Sequence, residues 1–317
     1  MSTAMLDPVD TQSSVQSLGG QNLRATMAAM RLAFSWFGTR KTLTNEQKAR
    51  AANAFDAEGK FLSAAKRLID TSDPNFRAVS SIKSQATAFF KGVSLPFPEP
   101  GIRLVRQGDL GEIDTRMRGF ADELEQAVAE LDNHLGELKH EARQRLGSLY
   151  NEEDYPASVI GLFELSWEFP SVEPPNYLRQ LNPELYEAEC DRVRAKFDTA
   201  VSMAEAAFAE ELTKLVEHLS DRLSGTEDGK PKTFRNSVVE NFGEFFERFR
   251  MLNIRSNEQL DEVVRRAESV LDGVGPQQLR DNTSLRDQIA SGLASVQSTL
   301  DGLMIQRPRR NIIRKVK

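Results

Sequence analysis

The sequence predicts an all-α protein: a base bundle of helices bearing a long antiparallel helical hairpin, a coiled-coil-like arm with a small irregular or β element at its tip. Two observations carry this. Glu112–Leu149 and Pro183–Leu223 each place apolar residues at steps of four, four and three over about forty positions, the spacing of one helix face. Ala, Leu, Glu, Arg and Gln dominate the composition, while Gly and Pro gather between the periodic stretches.

The first stripe runs Ile113, Met117, Phe120, Leu124, Ala127 or Val128, Leu131, Leu135, Leu138, Ala142, Leu146, Leu149. The second runs Tyr186, Cys190, Val193, Phe197, Val201, Ala204, Phe208, Leu212, Leu215, Leu219, Leu223. Steps averaging near 3.6–3.7 keep one face in line with little supercoil. Paired antiparallel, Leu146 meets Tyr186, Ala142 meets Cys190, Leu131 meets Val201 and Leu124 meets Phe208. Forty residues at 1.5 Å each make a rod of about 60 Å.

The remaining elements follow from local signals. Leu23–Phe37 reads as an amphipathic helix ending at Gly38. Thr44-Asn45-Glu46-Gln47 has capping-box spacing and opens a second helix reaching Ile69. Asp73-Pro74 is a cap followed by an N1 proline, opening a third helix to Lys91. Leu95–Leu104 is too rich in Pro and Gly for a helix, and Asp109 caps the first long helix. Between the long helices, Pro156 begins a short helix, and Leu162–Phe169 alternates apolar and polar residues like a strand. Asn182-Pro183 caps the second long helix and Gly225–Lys232 is a flexible break. Thr233–Ile254 is helical, Ser256-Asn257-Glu258-Gln259 caps a helix to Leu271, and Ser284–Leu303 is the last. The organisation expected is a disordered tail at 1–19, base helices at 20–108, the hairpin at 109–225 with a tip insertion at 150–181, C-terminal helices at 226–303, and a basic tail at 304–317. The almost wholly apolar run Ala200–Ala209 needs a second packing partner, either a base helix or another subunit.

The chain of 317 residues carries a net charge of −6, unevenly spread. Residues 307–317 hold six basic side chains and no acid, so residues 1–306 carry −12. An acidic body with a basic tail implies that an electrostatic partner meets the tail. No apolar run is long enough for a membrane span, and Met1–Gly20 lacks the pattern of a secretory signal. The single cysteine, Cys190, excludes an internal disulfide and reads as a small buried hydrophobe; a cytoplasmic location fits.

The chemistry-bearing residues do not converge. His134, His140 and His218 lack metal-ligand spacing, and nothing supports a nucleophile triad. Gly59-Lys60 lacks the first glycine and the strand of a phosphate loop. Phe242, Phe245, Phe246 and Phe249 fall at i, i+3, i+4, i+7, a core stripe, and Phe34, Trp36 and Phe37 read the same way. At the tip, Glu152, Glu153, Asp154 and Tyr155 lie beside Trp167, Phe169 and Tyr177. The three acids read as a solvated turn or a cation site, and the aromatics beside them as a miniature core closing the tip or, with the acids and Tyr155, an exposed recognition surface for a protein partner. In the tail, Arg307, Arg309, Arg310, Arg314, Lys315 and Lys317 could bind DNA or RNA phosphates, but without interleaved aromatics they cannot stack on bases.

Four segments carry a resemblance: FGTRKTL from Phe37, LPFPEPGIRL from Leu95, LGSLYNEEDYP from Leu146 and VEPPNYL from Val172. In this order, separated by long helices, they resemble an uncharacterised helical domain-of-unknown-function family of bacterial and phage proteins, over about residues 20–225. The resemblance implies a genetic neighbourhood with MoxR-type AAA+ ATPases and von Willebrand A-domain proteins, and it carries no catalytic residues. The function expected is a non-enzymatic structural or adaptor protein, a component of a phage-related or ATPase-associated complex. The alternative is a nucleic-acid-associated protein acting through the tail. The partners expected are a protein, an AAA+ ATPase by resemblance, and a second copy or other complex subunits, with no membrane and no cofactor.

Overall fold

The computed structural model describes residues 18–224, 226–227, 230–231 and 236–305. In chain order the elements are α1 (residues 18–26), β1 (Met27–Ser35), β2 (Arg40–Thr42), α2 (Asn45–Asn53), β3 (Ala65–Arg67), α3 (Pro74–Gly92), β4 (Ser94–Pro96) and β5 (Ile102–Arg106). There follow α4 (Leu110–Leu146), β6 (Glu164–Glu168), α5 (Leu178–Leu181), α6 (Pro183–Ser224), β7 (Thr226–Glu227) and β8 (Lys230–Pro231). The last are α7 (Ser237–Leu252), α8 (Glu258–Leu271), α9 (Pro276–Asp281) and α10 (Thr283–Ile305). The protein is mostly helical rather than all-α, because it also contains a four-stranded sheet ordered β4-β5-β1-β6.

The chain forms two compact units. One comprises Met30–Gly92 and Gly108–Pro170; the other comprises Met1–Ala29, Val93–Gln107 and Ser171–Lys317. The long helices fall in different units, α4 in the former and α6 in the latter, and each finds partners within its own. This corrects the predicted hairpin. The spacing identifies the buried faces, but the Leu124–Phe208 register assumed that two matching stripes must cover each other.

In the α4 unit, the buried residues of α4 are Ile113, Met117, Phe120, Leu124, Val128, Leu131, Leu135, Leu138 and Ala142, the stripe the spacing predicts except at its end, where Leu146 and Leu149 are half-buried. α3 packs along it with Phe76, Val79, Ile82, Ala86 and Phe90 buried. Asp73 caps α3 as expected, its Oδ1 accepting from the amides of Asn75 (2.9 Å) and Phe76 (3.0 Å). The chain after α4 then doubles back along it. Asp132 Oδ1 accepts from Ser158 Oγ (2.8 Å) and the Val159 amide (2.7 Å), and farther back Asp114 Oδ1 accepts from Trp167 Nε1 (2.9 Å). Between these anchors the helix rises about 27 Å, a distance covered by eight residues of chain and the long Trp167 side chain. The segment expected to crown an arm is thus a return along the helix, and it ends in β6.

β1 corrects the helix predicted over Leu23–Phe37. Only residues 18–26 are helical; from Met27 the chain is a strand flanked in the sheet by β5 and β6, with Arg31 opposite Glu168 and Ser35 opposite Glu164. MAAMRLAFS favours a helix locally, and ladder bonds on both edges override that preference. The Thr44 capping box forms, with Gln47 bonding the Thr44 amide at 3.0 Å and Thr44 Oγ1 accepting from the Gln47 amide at 3.2 Å. α2 nevertheless stops at Asn53 rather than Ile69. Asp56 takes a left-handed backbone (φ 50°), and Ala65–Arg67 pairs with Arg40–Thr42 as a small ladder. Pro156 begins no helix.

In the α6 unit, Pro98-Glu99-Pro100-Gly101 turns between β4 and β5, with Pro100 and Gly101 (φ 77°) in the corner positions and the Ile102 amide donating to Glu99 O at 3.2 Å. Asn182 caps α6 as predicted, its Oδ1 accepting from the Leu185 amide at 3.0 Å. α10 runs antiparallel to α6. Near its start, Arg286 donates to the carbonyls of Arg222 (3.1 Å) and Leu223 (3.3 Å), groups an α-helix leaves unsatisfied at its C-terminus. Helices α7, α8 and α10 and strand β4 supply the second partner that Ala200–Ala209 requires: Ala200, Val201, Ala204, Phe208 and Ala209 are all buried. Phe208 meets Phe245 and Phe249 edge-on at 6.2 and 5.0 Å. The α8 cap is Asn257, one residue later than read, its Oδ1 accepting from the Leu260 amide. Ser256 instead donates to buried Glu205. α9 has no counterpart in the sequence reading.

Candidate functional site

The seven residues expected at the tip divide between the two units. Glu152, Glu153, Asp154, Tyr155, Trp167 and Phe169 belong to the α4 unit, whereas Tyr177 belongs to the α6 unit.

Within the α4 unit the expected recognition residues divide again. Glu152 and Glu153 are exposed on a short 3-10 turn, with Tyr150 Oη donating to Glu152 at 3.0 Å. Asp154 points inward: its side chain is 3% exposed and contacts Lys66, itself 5% exposed, and Lys41 at 2.5 Å. Burial pushes the Asp154 carboxyl up, but hydrogen bonds and charge from Lys41 and Lys66 outweigh it and hold the group below the ordinary carboxylate range. Lys66 Nζ also donates to Leu149 O at 2.6 Å. Tyr155 is buried, stacks on Tyr150 at 5.1 Å and donates to Leu68 O at 3.0 Å; burial pushes its phenol up to about 12. Asp154 and Tyr155 therefore clamp the return segment to the β2–β3 ladder and its flank. Presentation to a partner is corrected for these two, since their polar atoms are spent on Lys41, Lys66 and Leu68.

Trp167 is half-buried, held by Asp114, while Phe169 is 45% exposed. Phe34, Trp36, Phe37, Phe76 and Phe163 join in an aromatic cluster, with Trp36 and Phe163 at 5.0 Å. Lys83 Nζ stands 4.4 Å from the Trp36 ring. Phe55 and Phe61, about 80% exposed in the loop after α2, are apolar surface that the reading missed by extending α2 through them. The lapse of periodicity at Asp56 and Gly59 was the available signal.

In the α6 unit Tyr177 heads an exposed apolar stripe with Leu181 and Leu185, at 63%, 77% and 41% exposure. Tyr177 precedes α5, Leu181 ends it and Leu185 lies in the first turn of α6, with the chain extended between the two helices at Asn182 (φ −153°, ψ 90°). The surrounding residues 173–191 hold five acids and one base, Arg179. Leu181 and Leu185 could have been found from their four-residue spacing from Tyr177, but Asn182-Pro183 reads first as a boundary. Cys190 is half-buried rather than seated in a core.

The four phenylalanines of α7 are buried as a core stripe. Among the described residues, no group of three His, Cys, Asp or Glu side chains gathers as a metal site; His134 lies 3.1 Å from Glu137 and 3.8 Å from Asp73. No helix among them is long and apolar enough to cross a membrane. Arg307, Arg309, Arg310, Arg314, Lys315 and Lys317, like most of the break at 225–232 and residues 1–17 of the tail, lie outside the described residues. Comparison with protein-family models, curated proteins and solved structures finds no match.

Proposed function

We propose that this chain is a non-enzymatic structural or adaptor protein whose α6 unit binds a protein partner through Tyr177, Leu181 and Leu185. The observation carrying this reading is the exposure of three large apolar side chains close together in the chain, Tyr177, Leu181 and Leu185, in an acidic stretch. Such a stripe loses favourable free energy in water until a partner covers it. Its charge selects the partner: Glu184 and Glu187 carry no ion-pair partner among the described residues, so two copies would repel each other face to face. The surface fits a different protein, with apolar anchors flanked by Lys or Arg. By the resemblance above, a MoxR-type AAA+ ATPase is the first defined candidate.

The test is a titration of the labelled full chain with the purified ATPase, beside the Leu181→Glu variant. Binding weakened at least about tenfold by the substitution supports the reading, because a buried apolar anchor contributes more than about 1.4 kcal/mol. Equal binding by both proteins removes the stripe from the interface. The charge of residues 307–317 supports a second reading, nucleic-acid association. It requires salt-dependent retention of DNA or RNA that disappears when those residues are deleted.

A further inference from the structure

The first turns of α8 and the last turns of α10 enclose an open groove of about 460 Å³, lined among others by Glu258, Glu262, Val263, Gly302 and Leu303. The helices run antiparallel, Gly292 of α10 facing Val270 of α8, so the groove lies at the end of α10 from which the chain continues. At Gly302 nothing stands within 4 Å of where a Cβ would be, which leaves the groove unfilled at that turn. Val263 is buried and Leu303 half-buried, giving an apolar floor. Glu258 has no ion-pair partner among the described residues, and Glu262 has only an exposed pair with Arg265 on its own helix, a contact of little strength.

The residues that follow, QRPRRNIIRKVK from Gln306, pair six cations with three apolar side chains, Ile312, Ile313 and Val316. The sequence at Pro308 disfavours a straight continuation of α10, since proline lacks the amide and disfavours a helical residue before it. We propose that residues 306–317 bind back into this groove, their cations against Glu258 and Glu262 and an isoleucine over Gly302. Reach is ample: Ile312 lies nine positions beyond Leu303, up to about 30 Å of chain for a groove that begins at Leu303 itself. A tether this short holds the segment at an effective concentration in the millimolar range, so a weak intrinsic affinity suffices. The carbonyls at the C-terminus of α10 add attraction for the cations. The groove thus competes for the same charges that nucleic acid would need.

Hydrogen exchange of the full chain, free of nucleic acid and at low salt, tests this against a synthetic peptide of residues 306–317. With an effective concentration about ten times the intrinsic Kd, the amides of residues 312–316 exchange about tenfold more slowly in the protein. Gly302→Leu fills the groove with a better helix former, so it should return those amides to the peptide's rate while the thermal midpoint holds or rises. Glu258→Lys with Glu262→Lys, or 1 M salt, should do the same through charge. Exchange at the peptide's rate in the unmodified chain overturns the proposal. So does protection that survives Gly302→Leu, that grows with protein concentration (a second copy), or that needs added DNA or RNA.

Discussion

α4 and α6 share a length class and a spacing of apolar residues, yet they are buried in different ways. α4 hides a single narrow stripe of nine residues, covered by α3 and the returning segment. α6 hides its stripe from Val193 to Leu223, with Leu215 half-buried, and also Ala200, Ala209, Val216 and Glu205, because several elements converge on it. Side-chain size accounts for the contrast. The alanines between Ala200 and Ala209 let neighbours approach from more than one side, whereas the rest of α4 is clothed in Glu, Asp, Arg and Lys. The lesson is that periodicity reports which face of a helix is buried, not what buries it.

The contrast can be broken at several points. Phe208→Ala, which empties the aromatic contact with Phe245 and Phe249, should cost about 3–5 kcal/mol in denaturant unfolding. In the α4 unit, Lys66→Met on β3 should cost a similar amount, about 3–5 kcal/mol, by leaving Asp154 buried with less compensation, and replacing both residues by apolar ones should recover most of it. Overpacking separates the helices more sharply. Ala204→Leu in α6 should cost about 1–3 kcal/mol, while Ala127→Leu beside the α4 stripe should change stability by less than about 0.5 kcal/mol. Asp132→Ala leaves the buried Val159 amide without its acceptor, an expected loss of about 1–3 kcal/mol.

The smallest expected effects concern pH, and they differ in sign between the units. Asp154 is held below its ordinary value of 3.8, so its contribution is full above that value and is lost as pH falls through the depressed one. Asp198 in α6 is pushed above 3.8 by burial, its Oδ1 lacking a hydrogen-bond partner among the described residues. Folding therefore favours the protonated form there, and stability is gained as pH falls through the raised value. Asp198→Asn should remove that acid-side gain and leave the Asp154 dependence intact in a pH series of unfolding curves.

Much of this was legible. The α4 stripe, the Thr44, Asp73 and Asn182 caps, the strand near Leu165 and the α7 phenylalanine core were all read from local patterns. What escaped reading was non-local. MAAMRLAFS is a strand only because other strands flank it, and α2 ends early because Arg40–Thr42 recruits Ala65–Arg67. At the candidate site, Tyr177 was open between an exposed surface and a closing core and is exposed, whereas Asp154, which reads as part of a solvated turn, and Tyr155, expected on the recognition surface, are buried against Lys66 and Leu68. Acidic residues announce solvent in a sequence, and only the fold shows when a lysine has been buried to meet one.

The central claim is that the chain after α4 returns along it instead of crowning its far end. Spin labels at Arg118 on α4 and Glu168 on β6, both exposed, measure this directly. A return brings Glu168 beside the start of the helix, and pulsed electron resonance should give a separation under about 20 Å. A segment crowning the end of α4 near Leu146 would instead sit about 40 Å from Arg118 at 1.5 Å per residue, and that distance would contradict the account.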